Sequence, residues 1–336
     1  MYKKLTIKDK IYISGANGMV GKAIARSLKK YGYGNSINEG SLLLPTRKEL
    51  DLLDSQQVND WFNKNLPTIV IHAAAKVGGI LANSSRPADF LLENLKMQTN
   101  VIEAAYKTNV KRFLFLGSSC IYPKFSEQPI KEEALLTSDL EPTNESYAIA
   151  KIAGIKLCQA MRKQYGFDAI SLMPTNLYGA GDNYNKKNSH VMASLIRRFY
   201  DAKINKSSEV TCWGSGSPLR ELMHVDDLGD AVVFVLEKWD PDSKNSPIDD
   251  NGFPLNHLNV GTGKDISIKE LTEIISKEYG FNGKINWDRS KPDGTPKKKL
   301  NIERIRNLGW EPKIGLIEGI KMTIKDFKSS KNILRL

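Results

Sequence analysis

The stretch that most restricts the fold is Ile11-Tyr-Ile-Ser14, a short apolar strand pattern, running straight into Gly15-Ala-Asn-Gly18-Met-Val-Gly21. Lys22 to Lys30 then reads as an amphipathic helix. Gly15 permits a tight turn, Gly18 lets a phosphate approach the backbone, and Gly21 lets the helix pack on the strand. The helix start offers unpaired N–H groups and the positive end of its dipole to an anion. A glycine-rich turn alone is weak evidence. Set between a strand and a helix, it points to dinucleotide binding.

The chain continues in the same rhythm. A loose segment from Gly32 to Ser41 leads to strand Leu42–Leu44, and Ser55 to Asn65 reads as a helix. Thr68 to Ala75 is a buried strand entering a small-residue turn, Pro87 to Thr108 a long helix, and Lys111 to Gly117 a fourth strand. Asp168 to Met173 extends the series. Strands alternating with helices imply an α/β fold, a doubly wound parallel sheet with right-handed crossovers. In such sheets ligands bind beyond the C-terminal strand ends, which is where Ser118-Ser119-Cys120 stands. His72, inside an apolar strand, reads as a packed core histidine. Thr46-Arg47-Lys48 occupies the place where an NAD-preferring fold sets an acid for the ribose. Arg47 either clamps a 2′-phosphate, favouring NADP(H), or belongs to a solvent-exposed basic turn.

Tyr147 and Lys151 lie four residues apart in a segment whose Pro142 and following polar residues read as a helix start, so they share one face about a turn apart. A neighbouring ammonium favours the phenolate and is expected to lower the ordinary Tyr value of about 10, preparing it to pass a proton to a carbonyl oxygen. An isolated Tyr–Lys pair also arises by chance on amphipathic helices.

Composition narrows the function classes. The chain has 336 residues, 40% hydrophobic and 26% charged, which suits an ordinary globular protein with a sizeable core. No apolar run reaches the roughly 18–20 residues of a membrane span, and the first ten residues lack the apolar middle of a secretory signal. Cys120, Cys158 and Cys212 form no close-spaced pair, which argues against disulfides and structural zinc and suits a reducing cytoplasm. The net charge of +11 comes from scattered lysines. Its densest cluster, Lys297-Lys298-Lys299, lacks interleaved aromatics and a binding motif, so nucleic acid is not expected as a partner; the excess charge reads as solvated surface, with a useful attraction for an anionic substrate as the alternative.

Beyond Pro174 the alternation breaks down. Helices are expected from Ser189 through Arg198, from His224, over Ser267–Tyr279 and over Leu316–Phe327. Strands are expected at Glu209–Trp213 and Leu258–Val260, with a turn over residues 291–296 and a frayed tail from Ser329. Arg198 and Arg220 could grip phosphate and Trp213 could stack a base, or the three could be surface charges and a core aromatic.

The glycine turn, the strand-end Ser118 and Tyr-x-x-x-Lys together resemble the extended short-chain dehydrogenase/reductases. Longer runs are similar to the GDP-L-fucose synthase family: AAAKVGGI (73–80), FLGSSCIYPK (115–124), LEPTNESYAIAKIAGIKLC (140–158), MPTNLYG (173–179), NSHV (188–191), WGSGSPLRELMHVDD (213–227) and SKPDGTP (290–296). The resemblance spans nearly the whole chain in order. It implies a Rossmann-like sheet, with residues 1–180 binding NADP and 181–336 mainly a smaller C-terminal α+β substrate lobe. It further implies NADPH/NADP+ as cofactor and GDP-4-keto-6-deoxy-D-mannose as substrate, epimerised at C3 and C5 and reduced at C4.

The resemblance also assigns roles. Cys120 corresponds to the base and His190 to the acid on the opposite face, while Ser118 and Tyr147 hold the C4 oxygen and Lys151 orients the nicotinamide ribose. Cofactor contacts carry over to Gly15, Ala16, Asn17, Gly18, Met19, Val20, Gly21, Arg47, Leu116, Gly117, Ser118, Ser119, Lys151, Pro174, Thr175, Asn176, Leu177 and His190. Substrate contacts carry over to Arg198, Trp213, Arg220 and Asp293; no metal is implied. Cys158 and Cys212 read as packing. The family is expected to be a cytoplasmic homodimer joined through helices 87–108 and 143–165. Asn17 stands where some relatives carry a basic residue, and the Gly32–Ser41 segment is longer than in compact relatives. The rivals are a nucleotide-sugar 4-epimerase or 4,6-dehydratase on the same fold, neither of which needs the Cys120/His190 pair, and a non-catalytic dinucleotide sensor, which tends to lose the Tyr or Lys.

Overall fold

In a computed structural model, residues 5–186, 189–291 and 293–329 are described. Residues 1–4, Asn188 of the 188–191 run, Pro292 of the expected turn and the tail from 330 lie outside them.

The first half alternates as its pattern requires. In order come β1 (Lys10–Ser14), α1 (Met19–Lys30), β2 (Ser41–Leu43), α2 (Ser55–Asn65), β3 (Ile69–His72), α3 (Ile80–Ser85), α4 (Pro87–Lys107), β4 (Arg112–Leu116), α5 (Glu145–Tyr165) and β5 (Ala169–Pro174). Helix α1 begins at Met19, a turn earlier than its amphipathic stripe suggests, because Gly18 is itself the N-cap and leaves Met19 and Val20 free to coil. Helix α5 ends on Gly166 in the left-handed region, φ 67°, a residue type that enters it without strain.

The main sheet has the order β2-β1-β3-β4-β5-β9, where β9 is His257–Val260, and every pairing is parallel. The inner strands β3, β4 and β5 are buried along their whole length, which explains their largely apolar runs, while the edge strand β2 is half-buried. The order reverses between β1 and β3, the switch point where such sheets open a crevice.

The second half is built around β6 (Asn176–Tyr178), α6 (Val191–Ile204), β7 (Glu209–Trp213) and β8 (Leu219–His224), followed by α7 (Val225–Lys238). After β9 come β10 (Asp265–Ser267), α8 (Ile268–Tyr279), β11 (Lys284–Asp288), β12 (Lys297–Lys298), α9 (Glu303–Asn307) and α10 (Leu316–Ser329). Strand β8 pairs with β6, β10 and β12, while β7 pairs with β11. Two hydrophobic cores result. The larger surrounds the main sheet and takes in Leu228–Leu236 of α7, Leu258 and Val260 of β9 and Ile305 of α9, so the later chain returns to it. The smaller joins Met192, Ile196 and Phe199 of α6 to Leu271 and Ile275 of α8 and Ile320 of α10. No helix among the described residues is long and apolar enough to cross a membrane.

Candidate active site

A cleft of about 1180 Å³ runs along the C-terminal ends of the main strands and under the second core. Every residue to which the sequence assigns a site role lines it.

At one end the glycine turn closes as expected. Gly15 has φ 70°, and a Cβ there would stand 2.8 Å from the Ala74 Cα, so the site tolerates no side chain. Helix α1 has no side-chain cap, which leaves its first N–H groups pointing into the cleft. Arg47 is exposed on the wall, 3.9 Å from the Asp51 carboxylate, which also lines the cleft, with Thr46 and Lys48 beside it. A cradle closed to side chains, a free helix start and an accessible guanidinium fit a dinucleotide carrying an extra phosphate. His72 is fully buried beneath this floor, its Nδ1 3.0 Å from the Ser14 hydroxyl, and desolvation lowers its pKa to about 3. It is a core histidine.

In the middle of the cleft α5 brings the reactive group of residues to the end of β4. The Tyr147 hydroxyl pairs with Ser118, and the Ser118 Oγ accepts from the Cys120 backbone N–H at 3.2 Å. Lys151 is buried, donates to the Leu116 carbonyl at 2.8 Å, and lies 4.8 Å from the Phe115 ring centroid. Here the structure corrects one expectation. Burial lowers the Lys151 pKa to about 7, weakening the charge meant to acidify its neighbour, and burial pushes the Tyr147 phenol up rather than down. Tyr147 is therefore a protonated phenol, suited to donating.

His190 is the N-cap residue of α6, exposed and lining the same cleft. The protein mass around the ring lowers its pKa, so the neutral imidazole is favoured until an anion arrives beside it. Thr175 and Asn176 both donate from their side chains to the Glu221 carbonyl, tying the β5–β6 corner to β8.

At the far end Arg198 lies 5.0 Å from the Trp213 ring centroid and donates to the Thr211 carbonyl. Trp213, 47% exposed, is not a core aromatic. Lys291 also stands over the Trp213 ring, at 5.8 Å. The Asp293 carboxylate accepts from the Ser215 N–H at 2.7 Å and hydroxyl at 2.8 Å. Arg220 donates to the Thr295 carbonyl at 2.6 Å. Asp293 thus clasps the 293–295 loop to the 214–217 loop, and Arg220 ties the same 293–295 loop to β8, both residues lining the cleft.

A second correction concerns the lysine cluster. Lys298 is not solvated surface: it lines the cleft with its Nζ 3.4 Å from the Cys120 sulfur. The neighbouring DGTP turn was the available signal, but which lysine faces inward is set by strand pairing that composition does not reveal. Cys158 and Cys212 are buried, as expected for packing residues. No group of three or more His, Cys, Asp or Glu that could hold a metal occurs among the described residues.

A glycine turn closed to side chains, a Ser–Tyr–Lys group and a far wall carrying an exposed tryptophan beside Arg198 are the marks of a Rossmann-type oxidoreductase. Residues 11–249 match the NAD dependent epimerase/dehydratase family, and the chain belongs to that family. Within it, the chain is 52% identical to GDP-L-fucose synthase 1 of Arabidopsis thaliana over 94% of this chain and 91% of the relative. It is 47% identical to GDP-L-fucose synthase of Escherichia coli, covering 98% and 99%. The solved GDP-mannoheptose C4 reductase from Campylobacter jejuni with NADP bound superposes with a TM-score of 0.84 at 34% identity, covering 97% of this chain and all 100% of that one.

Proposed function

We propose that this chain converts GDP-4-keto-6-deoxy-D-mannose to GDP-L-fucose by epimerisation at C3 and C5 followed by reduction at C4, using NADPH. The observation that carries the reading is the convergence of Cys120, Ser118, Tyr147 and His190 on one cleft between the glycine cradle and the Arg198–Trp213 wall.

The C4 ketone acidifies the hydrogens on C3 and C5, so a base and an acid on opposite faces can invert each centre through an enolate. Cys120 removes the proton and His190 returns one from the other side. Ser118 and Tyr147 donate to the C4 oxygen where negative charge develops, and each such donor is worth about 10²–10³ in rate. The nicotinamide, when bound, supplies the hydride to C4. Tyr147 gives its proton to the same oxygen, a role for which its raised pKa keeps it charged with a proton. Gly15 to Gly21, Arg47, Leu116 to Ser119, Lys151 and Pro174 to Leu177 hold the cofactor, while Arg198, Trp213, Arg220 and Asp293 form the nucleotide end. Residues 1–180, with α7, β9 and α9, serve as the cofactor body and the smaller core as the substrate lobe.

We further infer a homodimer through α4 and α5, which pack side by side and expose Leu92, Ile149 and Tyr165. Light scattering on the eluted protein reads its mass directly, and a monomer would reject this interface.

Incubation with the GDP-keto sugar in D2O tests the function. Deuterium should enter C3 and C5 without NADPH consumption, and GDP-L-fucose should form once NADPH is added. Cys120→Ser should lose exchange while still binding NADPH. Neither exchange nor NADPH consumption in the unaltered protein would reject the reading.

A further inference from the structure

Lys298 stands on β12, the shortest strand of the fold, yet its backbone is anchored on every side. Strand β8 pairs with it in parallel, setting Lys298 opposite Arg220. The Gln128 side chain accepts from the Lys299 N–H at 2.9 Å and donates to the Lys297 carbonyl at 3.3 Å. The Lys299 carbonyl accepts from the Ile130 N–H at 2.8 Å, and the Leu300 N–H donates to Glu221 at 2.8 Å. Glu221 is fully buried and also accepts from the Thr262 and Gly263 N–H groups, so it cannot swing away. This bracing delivers one ammonium to a fixed point, 3.4 Å from the Cys120 sulfur.

We propose that Lys298 is a positioning residue for proton abstraction: its ammonium holds the Cys120 sulfur as the thiolate that attacks the carbon acid. The inference rests on the proposed function, because it assigns the state of that reaction's base. A cation in contact with a thiol favours the thiolate, which is the basic and nucleophilic form. The other groups facing Cys120 are Arg220 from β8, Tyr147 from α5 and Ser118 from the end of β4, with Glu141 lying beyond, near Arg220. Among them only Lys298 donates to the sulfur itself. The step balances simply. The thiolate takes the proton, the C–H electron pair becomes the enolate whose oxygen Ser118 and Tyr147 hold, and His190 delivers a proton to the opposite face. The sulfur then loses its proton to solvent and His190 regains one.

Alkylation of the full chain with iodoacetamide, without sugar or cofactor, reads the thiolate directly across pH 5.5–9. Peptide mass spectrometry separates Cys120 from Cys158 and Cys212, which are 2% and 1% exposed. Lys298→Met should alkylate about tenfold more slowly at neutral pH, with its rate profile moved to more alkaline pH, and Lys298→Arg should restore most of the rate. NADPH fluorescence titration confirms that each variant is folded; should Lys298→Met fail to bind, Lys298→Gln carries the same comparison. An unchanged alkylation profile with a raised KM for the GDP-sugar would overturn the proposal and make Lys298 a phosphate grip only. Because no substrate enters the alkylation assay, its failure is separate from failure of the GDP-L-fucose reading, which the deuterium exchange of the unaltered protein decides.

Discussion

Lys151 places its ammonium 2.8 Å from the carbonyl oxygen of Leu116, so the last residue of β4 and the second turn of α5 are joined by a buried charge. The charge is held at a cost. Its pKa of about 7, against an ordinary 10.5, means the folded protein binds this proton less tightly than the unfolded chain.

Lys151→Met should therefore be more stable than the wild type at pH 7. A depressed lysine destabilises the fold as pH falls below 10.5, and the penalty levels off below about 7. The fall from 10.5 to about 7 sets a ceiling of about 5 kcal/mol, reduced by about 1–3 kcal/mol for the Leu116 carbonyl left without this donor. Urea titrations at pH 7 and pH 10 should show the gain shrinking at the higher pH, while turnover is lost at both.

His72 makes a separate prediction for acid. Its folded pKa of about 3 lies below the usual 6.5, so stability is intact above pH 6.5 and lost as pH falls toward 3. At pH 5 the loss is about 2 kcal/mol from 1.5 units. His72→Gln should lose stability less steeply between pH 7 and pH 5, and equal slopes in denaturant titrations would refute the assignment.

Tyr147→Phe should cut turnover by about 10²–10³ or more, because the hydroxyl serves both the enolate and the alkoxide. Deuterium exchange and NADPH oxidation should fall together. In Cys120→Ser, by contrast, exchange should fail first.

Arg47→Ala should raise the KM for NADPH by about tenfold and leave that for NADH nearly unchanged, since only the former carries the 2′-phosphate. Equal effects on both cofactors would reduce Arg47 to part of an exposed basic turn, consistent with its weak 3.9 Å approach to Asp51.

Asp293 and Ser215 offer a test of how the nucleotide end is built. If Asp293 acts by fixing the 214–217 loop, Ser215→Ala should raise the KM for the GDP-sugar as Asp293→Asn does, by about threefold to tenfold, with NADPH binding unaffected in both. A silent Ser215→Ala beside an impaired Asp293→Asn would mean that the carboxylate itself touches the nucleotide.

Much of this protein is set locally, and that part was legible in the sequence. The turn after β1 needs a residue at φ 70° with no Cβ near Ala74, and glycine is the residue that supplies it. Helix spacing puts Tyr147 and Lys151 on one face of α5, and apolar runs mark strands buried on both sides. Tertiary structure decided the rest, because it depends on groups far apart in sequence. The Tyr147 phenol is raised chiefly by burial, and burial also lowers the pKa of Lys151 beside it. Which of three adjacent lysines reaches the cleft was settled by the pairing of β12 with β8, and by the anchoring of its flanks on Gln128 and Glu221. Local pattern records which face a side chain takes on its own element; the dielectric around it and the partner across from it exist only once distant segments have packed.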